Sequence, residues 1–272
     1  MDDKTSKKQS IKILCILLFY GRNHHHFIIF KPKIFLSNLT PCNFNSTTNF
    51  NAGELILVNK PLEWSSFDIV KKLRNILKKT LQTKKLKVGH AGTLDPLATG
   101  LLIICTGKYT KKIEQLQAKM KTYIGTFTLG TTTPSYDLET DIDKIYPTSQ
   151  ITKDLLTKTA QKFVGDLLQK PPVFSALKKD GKRLYEYARE NKKVEVKERE
   201  VTIHSFEITK IDIPIIHFKI SCGKGTYIRS LAHDFGLALN SGAHLSKLCR
   251  TKIGNYDLEN AYELQEIEKK FK

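Results

Sequence analysis

Hydrophobic periodicity divides much of the chain into stretches typical of strands and helices. In residues 54–58, Glu54 is followed by four consecutive apolar residues, which is typical of a buried strand. Behind it, Ser65 precedes Asp68 by three positions, a capping-box pattern that marks the start of a helix. The apolar residues that then recur at helical spacing are Ile69, Val70, Leu73, Ile76, Leu77 and Leu81. The pattern predicts an amphipathic helix from Ser65 or Ser66.

Further along the chain, stretches with strand periodicity and stretches with helical periodicity follow one another in no fixed order. Alternating stretches that predict half-buried strands are residues 122–129, 196–203 and 213–222. Stretches at helical spacing are residues 152–163, 184–189, 227–240 and 258–271. Hairpin-linked strands interspersed with helices, without a strict βαβ rhythm, predict an α+β fold with a mixed, mainly antiparallel sheet flanked by helices.

The N-terminal stretch differs in composition from the rest. Between Lys4 and Gly53 there is no Asp or Glu. The apolar patch Ile11–Tyr20 is too short to span a bilayer, and no small-residue cleavage site follows it. We therefore expect residues 1–52 to be a disordered or non-native leader and residues 53–272 to be the folded domain. Whether the leader is a targeting segment or a misassigned start stays open.

Charge and cysteine usage narrow the class of protein. Lys and Arg total 45 against 27 Asp and Glu, giving a net charge of +18, which favours a polyanionic partner such as nucleic acid. A basic protein without such a partner is the alternative. The five cysteines are scattered, with no CxxC pair, which argues against a disulfide framework or a zinc ribbon. We expect a reducing, cytoplasmic location.

One carboxylate lies in a turn of unusual composition. Asp95 is followed by Pro96, which fixes its own φ and biases Asp95 away from the α region. Gly92 and Gly100 flank the turn, and the apolar run of residues 101–105 follows. The sequence predicts a rigid loop ahead of a buried strand, a place where catalytic groups are often presented. A structural Asp-Pro turn is the alternative.

The whole string His90–Gly100 closely resembles the catalytic motif of the TruB family of pseudouridine synthases. Further stretches resemble that family's motifs in the same order along residues 53–272. They are Lys60–Ser66, Lys121–Tyr123, Pro171–Arg189, Cys222–Leu231 and Gly242–Arg250. Asn59 and Glu63 depart from the family's first motif, where Asp and Gly are usual.

The resemblance implies three catalytic residues. Asp95 matches the nucleophilic aspartate, and whether it attacks the sugar or the base stays open. Arg229 matches the active-site arginine, whose guanidinium can pair with the carboxylate; a surface salt bridge or phosphate contact is the alternative. Tyr123 matches the tyrosine that packs on the flipped target base, with ordinary core packing as the alternative.

The resemblance also implies a set of residues that contact substrate or RNA. His90 would contact RNA or fill the gap left by the flipped base, or else stabilise its own loop. Asp137 resembles an acidic position near the family's active site. The remaining members, placed by the matched motifs, are Lys60, Lys121 and Leu248.

The function implied is isomerisation of uridine 55 in the T-loop of tRNA to pseudouridine on a pseudouridine synthase fold. The implied partner is the tRNA T-arm, with no small-molecule cofactor, metal or membrane, and we expect a monomer. The chain ends about twenty residues after Arg250. Because this leaves no room for the PUA domain of many family members, tRNA binding should depend on the catalytic domain. The rivals are a non-catalytic RNA-binding or RNA-folding module and a glycosidase-like hydrolase with two carboxylates.

Overall fold

The computed structural model describes residues 39–44, 48–190, 192 and 194–271. Ten strands of this part form one mixed sheet, and α1, α3 and α5 pack against it. The strands are β1 (Leu55–Lys60), β2 (Val88–His90), β3 (Ala98–Thr106), β4 (Lys121–Leu129), β5 (Thr131–Thr132), β6 (Lys144–Ile145), β7 (Gly165–Gln169), β8 (Lys178–Lys179), β9 (Lys182–Arg183), β10 (Arg199–Asp212), β11 (Ile215–Cys222), β12 (Ala243–Ile253), β13 (Tyr256–Asp257) and β14 (Tyr262–Glu263). The helices are α1 (Ser66–Thr80), α2 (Ile113–Gln117), α3 (Lys153–Lys162), α4 (Leu184–Arg189), α5 (Ile228–Ala238) and α6 (Leu264–Lys270), and the 3-10 turns are Gly107–Lys112 and Leu258–Asn260.

The strand order of the large sheet is β14-β1-β3-β12-β4-β11-β10-β7, with β2 beside β3 and β13 beside β12. The pairs β1–β14 and β3–β12 are parallel, and the other pairs in this sheet are antiparallel. The prediction of an α+β fold with a mixed, mainly antiparallel sheet is thus confirmed. In the middle of the sheet, β12 joins the strand that follows the Asp95 loop to the strand that carries Tyr123.

Both faces of β1 and β3 are buried, which explains why their sequences are continuously apolar. Successive strand residues point to opposite faces, and here both faces meet apolar clusters. In β1, Ile56 and Val58 pack with α1, whereas Leu55 and Leu57 pack with Ile253 and its neighbours.

Helix α1 begins where the sequence predicts. Ser65 is its N-cap, and the capping box with Asp68 is formed in both directions. The inward residues Ile69, Leu73 and Leu77 are fully buried. The helix therefore packs firmly beside the sheet, and its first turn reaches the Asp95 loop.

The folded unit extends upstream of residue 53. The Cys42 amide donates to the Leu55 carbonyl at 2.7 Å, and the Tyr256 hydroxyl donates to the Leu39 carbonyl at 3.0 Å. The Phe44 ring lies 4.9 Å from that of Tyr262. These contacts tie the described residues before 53 to the core. Residues 1–38 and 45–47 of the predicted leader lie outside the described residues.

The C-terminal stretch differs from the single helix expected over residues 258–271. A 3-10 turn and the short strand β14 precede α6. The reason is pairing with the sheet, because Tyr262 lies beside Val58 in a parallel ladder. Pairing of β14 with β1 therefore keeps residues 262–263 out of the helix, although the sequence pattern there is helical.

Candidate active site

The loop between β2 and β3 carries Asp95 and is fixed by the start of α1. The Ser66 hydroxyl accepts the Leu94 amide at 2.8 Å and donates to the Leu94 carbonyl at 3.0 Å. The Glu63 amide donates to the carbonyl of Pro96 at 2.9 Å. Backbone groups on both sides of Asp95 are therefore held by a neighbouring segment.

Lys60 holds the same loop from below the surface. Its Nζ donates to the carbonyls of Pro61 (2.9 Å), Trp64 (2.5 Å) and Pro96 (3.3 Å), and the residue is fully buried. Burial lowers the Lys60 pKa to about 8. The expected RNA contact at Lys60 is corrected, because the ammonium has three protein carbonyls as partners and positions the Asp95 loop.

Arg250 clamps the loop from β12. Its Nε donates to the Leu101 carbonyl at 2.8 Å, Nη2 to the Gly92 carbonyl at 3.1 Å and Nη1 to the Thr93 carbonyl at 3.4 Å. The side chain is buried. A planar guanidinium has donors in a fixed fork, so one residue can hold three carbonyls in a set relation. Arg250 is a positioning residue for Asp95.

The structure brings Asp95, Arg229 and Asp137 together. Arg229 Nε lies 3.0 Å from a carboxylate oxygen of Asp95 and 3.5 Å from one of Asp137. The side chains of Arg229 and Asp137 are 4 % and 7 % exposed, whereas that of Asp95 is 35 % exposed. Asp137 therefore anchors the guanidinium inside the protein, and Asp95 is the carboxylate that a ligand can reach.

Backbone carbonyls complete the surroundings of Arg229. Its Nη1 donates to the carbonyls of Phe174 at 2.9 Å and Ser135 at 3.4 Å. The start of α5 is fixed by the buried Gln169, whose side chain accepts from the Tyr227 amide at 2.8 Å and donates to the Tyr227 carbonyl at 3.1 Å. Arg229 is the second residue of α5, so this clamp sets its position.

Tyr123 lies on β4 between Ile220 of β11 and Arg250 of β12. Its side chain is largely buried, and burial raises its pKa. The phenol therefore stays protonated and can donate a hydrogen bond at neutral pH. Leu248, also on β12, is half-buried and pairs with Ala98 just after the Asp95 loop.

Lys121 and His90 have different positions relative to this site. The Lys121 ammonium donates to the carbonyls of Gln117 and Lys119, and burial lowers its pKa to about 8. Its side chain still forms part of the pocket wall described below. His90 ends β2 opposite Ile104, is half-buried, and lies outside that wall. Burial lowers the His90 pKa, so its imidazole is neutral at pH 7.

A pocket of about 690 Å³ opens over these groups. Its wall includes five of the predicted residues, namely Asp95, Lys121, Tyr123, Arg229 and Leu248. A smaller, apolar pocket of about 330 Å³ shares Asp95 and Leu248 with it and also contains Asp137. The larger volume falls within the range of pockets that enclose small ligands, so a single flipped nucleotide can be accommodated.

Two contributors were missed as site residues although both lie in motifs recognised in the sequence. Arg250 closes the last motif, and Tyr227 lies two residues before Arg229. The Tyr227 ring lines the pocket and has the Arg199 guanidinium 4.6 Å from its centre. Their position in those motifs could have indicated that both residues belong to the site. Their contacts could not be predicted, because they are made with segments that are distant in sequence.

Metal-binding clusters and membrane-crossing helices are both absent from the described part of the chain. Within it, no group of three or more His, Cys, Asp or Glu side chains is arranged to hold a metal ion. No helix there has the length and apolar character needed to cross a membrane.

Comparison with known proteins gives consistent matches. Residues 78–228 match the family described as TruB family pseudouridylate synthase (N terminal domain), and residues 229–272 match the tRNA pseudouridylate synthase B C-terminal domain. The division between the two matches falls inside α5, so both segments contribute to one site. Proteins called tRNA pseudouridine synthase B from Flavobacterium johnsoniae and Parabacteroides distasonis are 59% and 52% identical, over 78% and 81% of this chain and 93% and 94% of theirs.

Solved structures show the same architecture. A chain in the crystal structure of a Cbf5-Nop10-Gar1 complex aligns with a TM-score of 0.58 and 27% identity over 81% of this chain. A chain in an H/ACA RNP bound to a substrate RNA containing 2'-deoxyuridine aligns with a TM-score of 0.56 and 24% identity over 79% of it. This chain spans about half the length of those solved chains, 54% and 52% respectively.

A loop-borne aspartate is paired to a buried arginine under a nucleotide-sized pocket. Together with the family match over residues 78–228, this site identifies the class as a pseudouridine synthase. The extent and identity of the sequence matches make the assignment more specific: the chain belongs to the TruB family of pseudouridine synthases.

Proposed function

We propose that this protein converts uridine 55 in the T-loop of tRNA to pseudouridine, with Asp95 as the catalytic carboxylate. The observation that carries the proposal is the ion pair at the base of the pocket. Arg229 is buried and fixed, whereas Asp95 is one-third exposed toward the cavity. The names and identities of the relatives support tRNA as the substrate.

The reaction is an isomerisation without a net change in atoms. The bond from uracil N1 to ribose C1′ breaks, the base turns, and C5 bonds to C1′. The proton on C5 must then leave, and N1 gains one. Asp95 can act as a nucleophile on the sugar or the base, or take the C5 proton late in the sequence. No cofactor is required for this balance.

Arg229 holds the Asp95 side chain in place through an ion pair whose N–O distance is 3.0 Å. Asp137 and two carbonyls hold the arginine, so it does not have to reorganise during the reaction.

Tyr123 and Leu248 are proposed to hold the base that is flipped out of the T-loop. Both line the pocket with Asp95, one with an aromatic ring and one with an aliphatic side chain. Stacking on an aromatic side chain is the usual means of holding an unstacked base. Lys121 lies in the same wall and contributes charge near the RNA. His90, outside the wall, is proposed to contact RNA next to the flipped nucleotide.

The T-arm as the recognised element, a monomeric state and the cytoplasm as the location belong to the same proposal. The catalytic unit is assigned to residues 39–271, which lie within one compact unit. The net charge of +18 supports a polyanionic substrate.

A hydrolase using two carboxylates is less well supported, although Asp137 is a neighbour of Asp95. A glycosidase of that kind needs one acid that can give a proton to the leaving group. Asp137 is ion-paired with Arg229 and accepts the amide of Glu139 at 3.0 Å. The Asp137 carboxylate therefore accepts hydrogen bonds and anchors Arg229, which does not suit it to donate a proton to a leaving group.

The test is mapping of pseudouridine in unmodified tRNA after incubation with purified protein. Wild type should form pseudouridine at position 55, and Asp95→Asn should form none while binding tRNA within a few fold. Asp154→Asn, on the exposed side of α3, is the matched control and should retain full activity. Product at other positions only, or an active Asp95→Asn variant, would refute the proposal.

A further inference from the structure

A third cavity, strongly basic, lies outside the catalytic pocket. It has a volume of about 760 Å³ and is called here the basic cleft. Its cationic residues are Arg74, Lys78, Lys84, Lys85, Lys87, Lys108 and Lys111. Among the described residues that form its wall, there is no Asp or Glu. The proposed reaction assigns no role to this cluster.

The charges in the basic cleft are uncompensated within the described part of the chain. There, none of its seven cations forms an ion pair with a carboxylate within 4.0 Å. Five of the lysines are exposed, while Arg74 is half-buried and donates to the Val88 carbonyl at 3.0 Å. Like charges gathered in one concave surface repel each other and raise the local concentration of anions.

Two chain segments connect the basic cleft to the catalytic pocket. The short strand β2 starts just after Lys87 in the cleft and leads to Gly92 in the pocket wall. The 3-10 turn that contains Lys111 continues into α2, whose residues Glu114 and Gln117 line the pocket. A three-residue strand spans about 10 Å. The cleft is therefore close enough for one RNA to occupy both.

We propose that the basic cleft binds backbone phosphates of the same tRNA whose uridine enters the catalytic pocket. This inference rests on the proposed function. Seven spread cations, most of them exposed, fit an extended polyanion better than one compact anion, which would need buried donors converging on a point. Phosphate contacts of this kind add affinity without reading the sequence of the RNA. The cleft then strengthens tRNA binding while the T-loop occupies the catalytic pocket.

The experiment compares two variants with the same change in charge. In the cleft variant, Lys84, Lys85, Lys108 and Lys111 are all replaced by Gln. In the control variant, four exposed lysines outside both cavities, Lys153, Lys158, Lys162 and Lys269, are replaced by Gln. All eight side chains are exposed, so both variants should melt at the wild-type temperature. Dissociation constants for unmodified tRNA are measured at several salt concentrations.

The cleft variant should bind tRNA at least about tenfold more weakly than wild type near 0.1 M salt. Its slope of log affinity against log salt should be smaller in magnitude by roughly 2–4, at about 0.7–0.9 per lost phosphate contact. The control variant should stay within about threefold of wild type, apart from the general effect of charge. Single-turnover rates at saturating tRNA should be unchanged in both variants, because the cleft does not contact the reacting uridine.

Equal affinities and equal salt slopes for the two variants would overturn the inference. So would a cleft variant that reacts more slowly at saturation while binding normally. The binding measurement does not depend on catalysis. If wild type formed no pseudouridine but the cleft variant still bound tRNA more weakly than the control, the proposed function would fail and the phosphate site would stand.

Discussion

The guanidinium of Arg229 lies 3.0 Å from the Asp95 carboxylate, and only the carboxylate is substantially exposed. The buried partner is held on its other sides by Asp137, Ser135 and Phe174. The protein thus holds the Arg229 guanidinium in a buried position and exposes the Asp95 carboxylate to the pocket. This division of roles makes the arginine more sensitive to substitution than an ordinary salt-bridge residue.

Arg229→Lys should lower the single-turnover rate by at least about 100-fold, while tRNA binding changes by less than about threefold. A lysine keeps the charge but has one nitrogen in place of a planar fork, so it cannot serve Asp95, Asp137 and two carbonyls together. Rapid-quench measurement of pseudouridine formation gives the rate, and filter binding gives the affinity.

Arg189→Lys is the matched control, because Arg189 is 66 % exposed and pairs with Glu139 at the surface. It should react at the wild-type rate, since exposed ion pairs contribute little. If Arg229→Lys also kept the wild-type rate, the guanidinium geometry would be irrelevant to catalysis.

Tyr123→Phe should reduce the reaction rate more than it reduces tRNA affinity. The ring that would stack on the base remains, but the hydroxyl is lost from the pocket wall. Tyr123→Ala should also lose stacking worth about 1–3 kcal/mol. The expected order of activity is wild type, then Phe, then Ala, in single-turnover kinetics on a T-arm stem-loop.

Tyr256→Phe removes a hydroxyl from another buried tyrosine, one that donates to the Leu39 carbonyl outside the pocket. It should cost some stability and leave the rate unchanged. Equal rates for wild type and Tyr123→Ala would show that Tyr123 is a core residue only.

Gly100→Ala should destabilise the protein by roughly 2–4 kcal/mol and impair activity. Gly100 has a φ of +103°, which strains any other residue, and an added Cβ would lie 2.4 Å from the Arg250 carbonyl oxygen. That contact is between β3 and β12, so relief requires the two strands to separate beside the Asp95 loop. Urea denaturation measures the change.

Gly181→Ala provides the comparison. Its φ of +81° imposes similar backbone strain, but nothing lies within 4 Å of the added atom. It should cost only about 1 kcal/mol. Equal losses of unfolding free energy in Gly100→Ala and Gly181→Ala would mean that the contact between the strands at Gly100 adds nothing to the backbone strain.

Much of the fold could be predicted from the sequence, since periodicity and capping act locally. The capping box at Ser65 and the boundaries of α4 are examples. The site could be predicted only as residues, because its geometry comes from contacts distant in sequence. Asp137 meets Arg229 through tertiary packing alone. Lys60 was assigned to RNA through the motif that contains it, but in the structure three carbonyls compensate the burial of its ammonium.

Removing residues 1–50 should destabilise the protein, whereas removing residues 1–38 keeps the described contacts of the N-terminal segment. The longer deletion takes away Phe50, which is 3 % exposed, together with Cys42 and Phe44 from the core around α1. Phe50→Ala alone should cost about 3–5 kcal/mol. Chemical denaturation of the two truncations and the point variant checks this. A wild-type midpoint for the longer truncation would contradict it.

Asp234→Asn should stabilise the protein at neutral pH and have little effect at pH 4. Burial, together with the nearby charge of Glu198, raises the Asp234 pKa from 3.8 to about 6. The folded state favours the protonated form of Asp234. The stability that this protonation contributes is therefore complete below the ordinary pKa of 3.8 and is lost as the pH rises through the folded-state pKa of about 6. Asn keeps a neutral side chain at every pH. Because Asp234 is partly exposed and solvent screens the effect, the expected gain in the free energy of unfolding above pH 7 is about 1 kcal/mol.

Urea denaturation at pH 4, 6 and 8 measures the difference in stability between Asp234→Asn and wild type, with the exposed Asp212→Asn as control. A gain that is the same at all three values, or a loss at pH 8, would show that Asp234 is not held in an environment that opposes its charge.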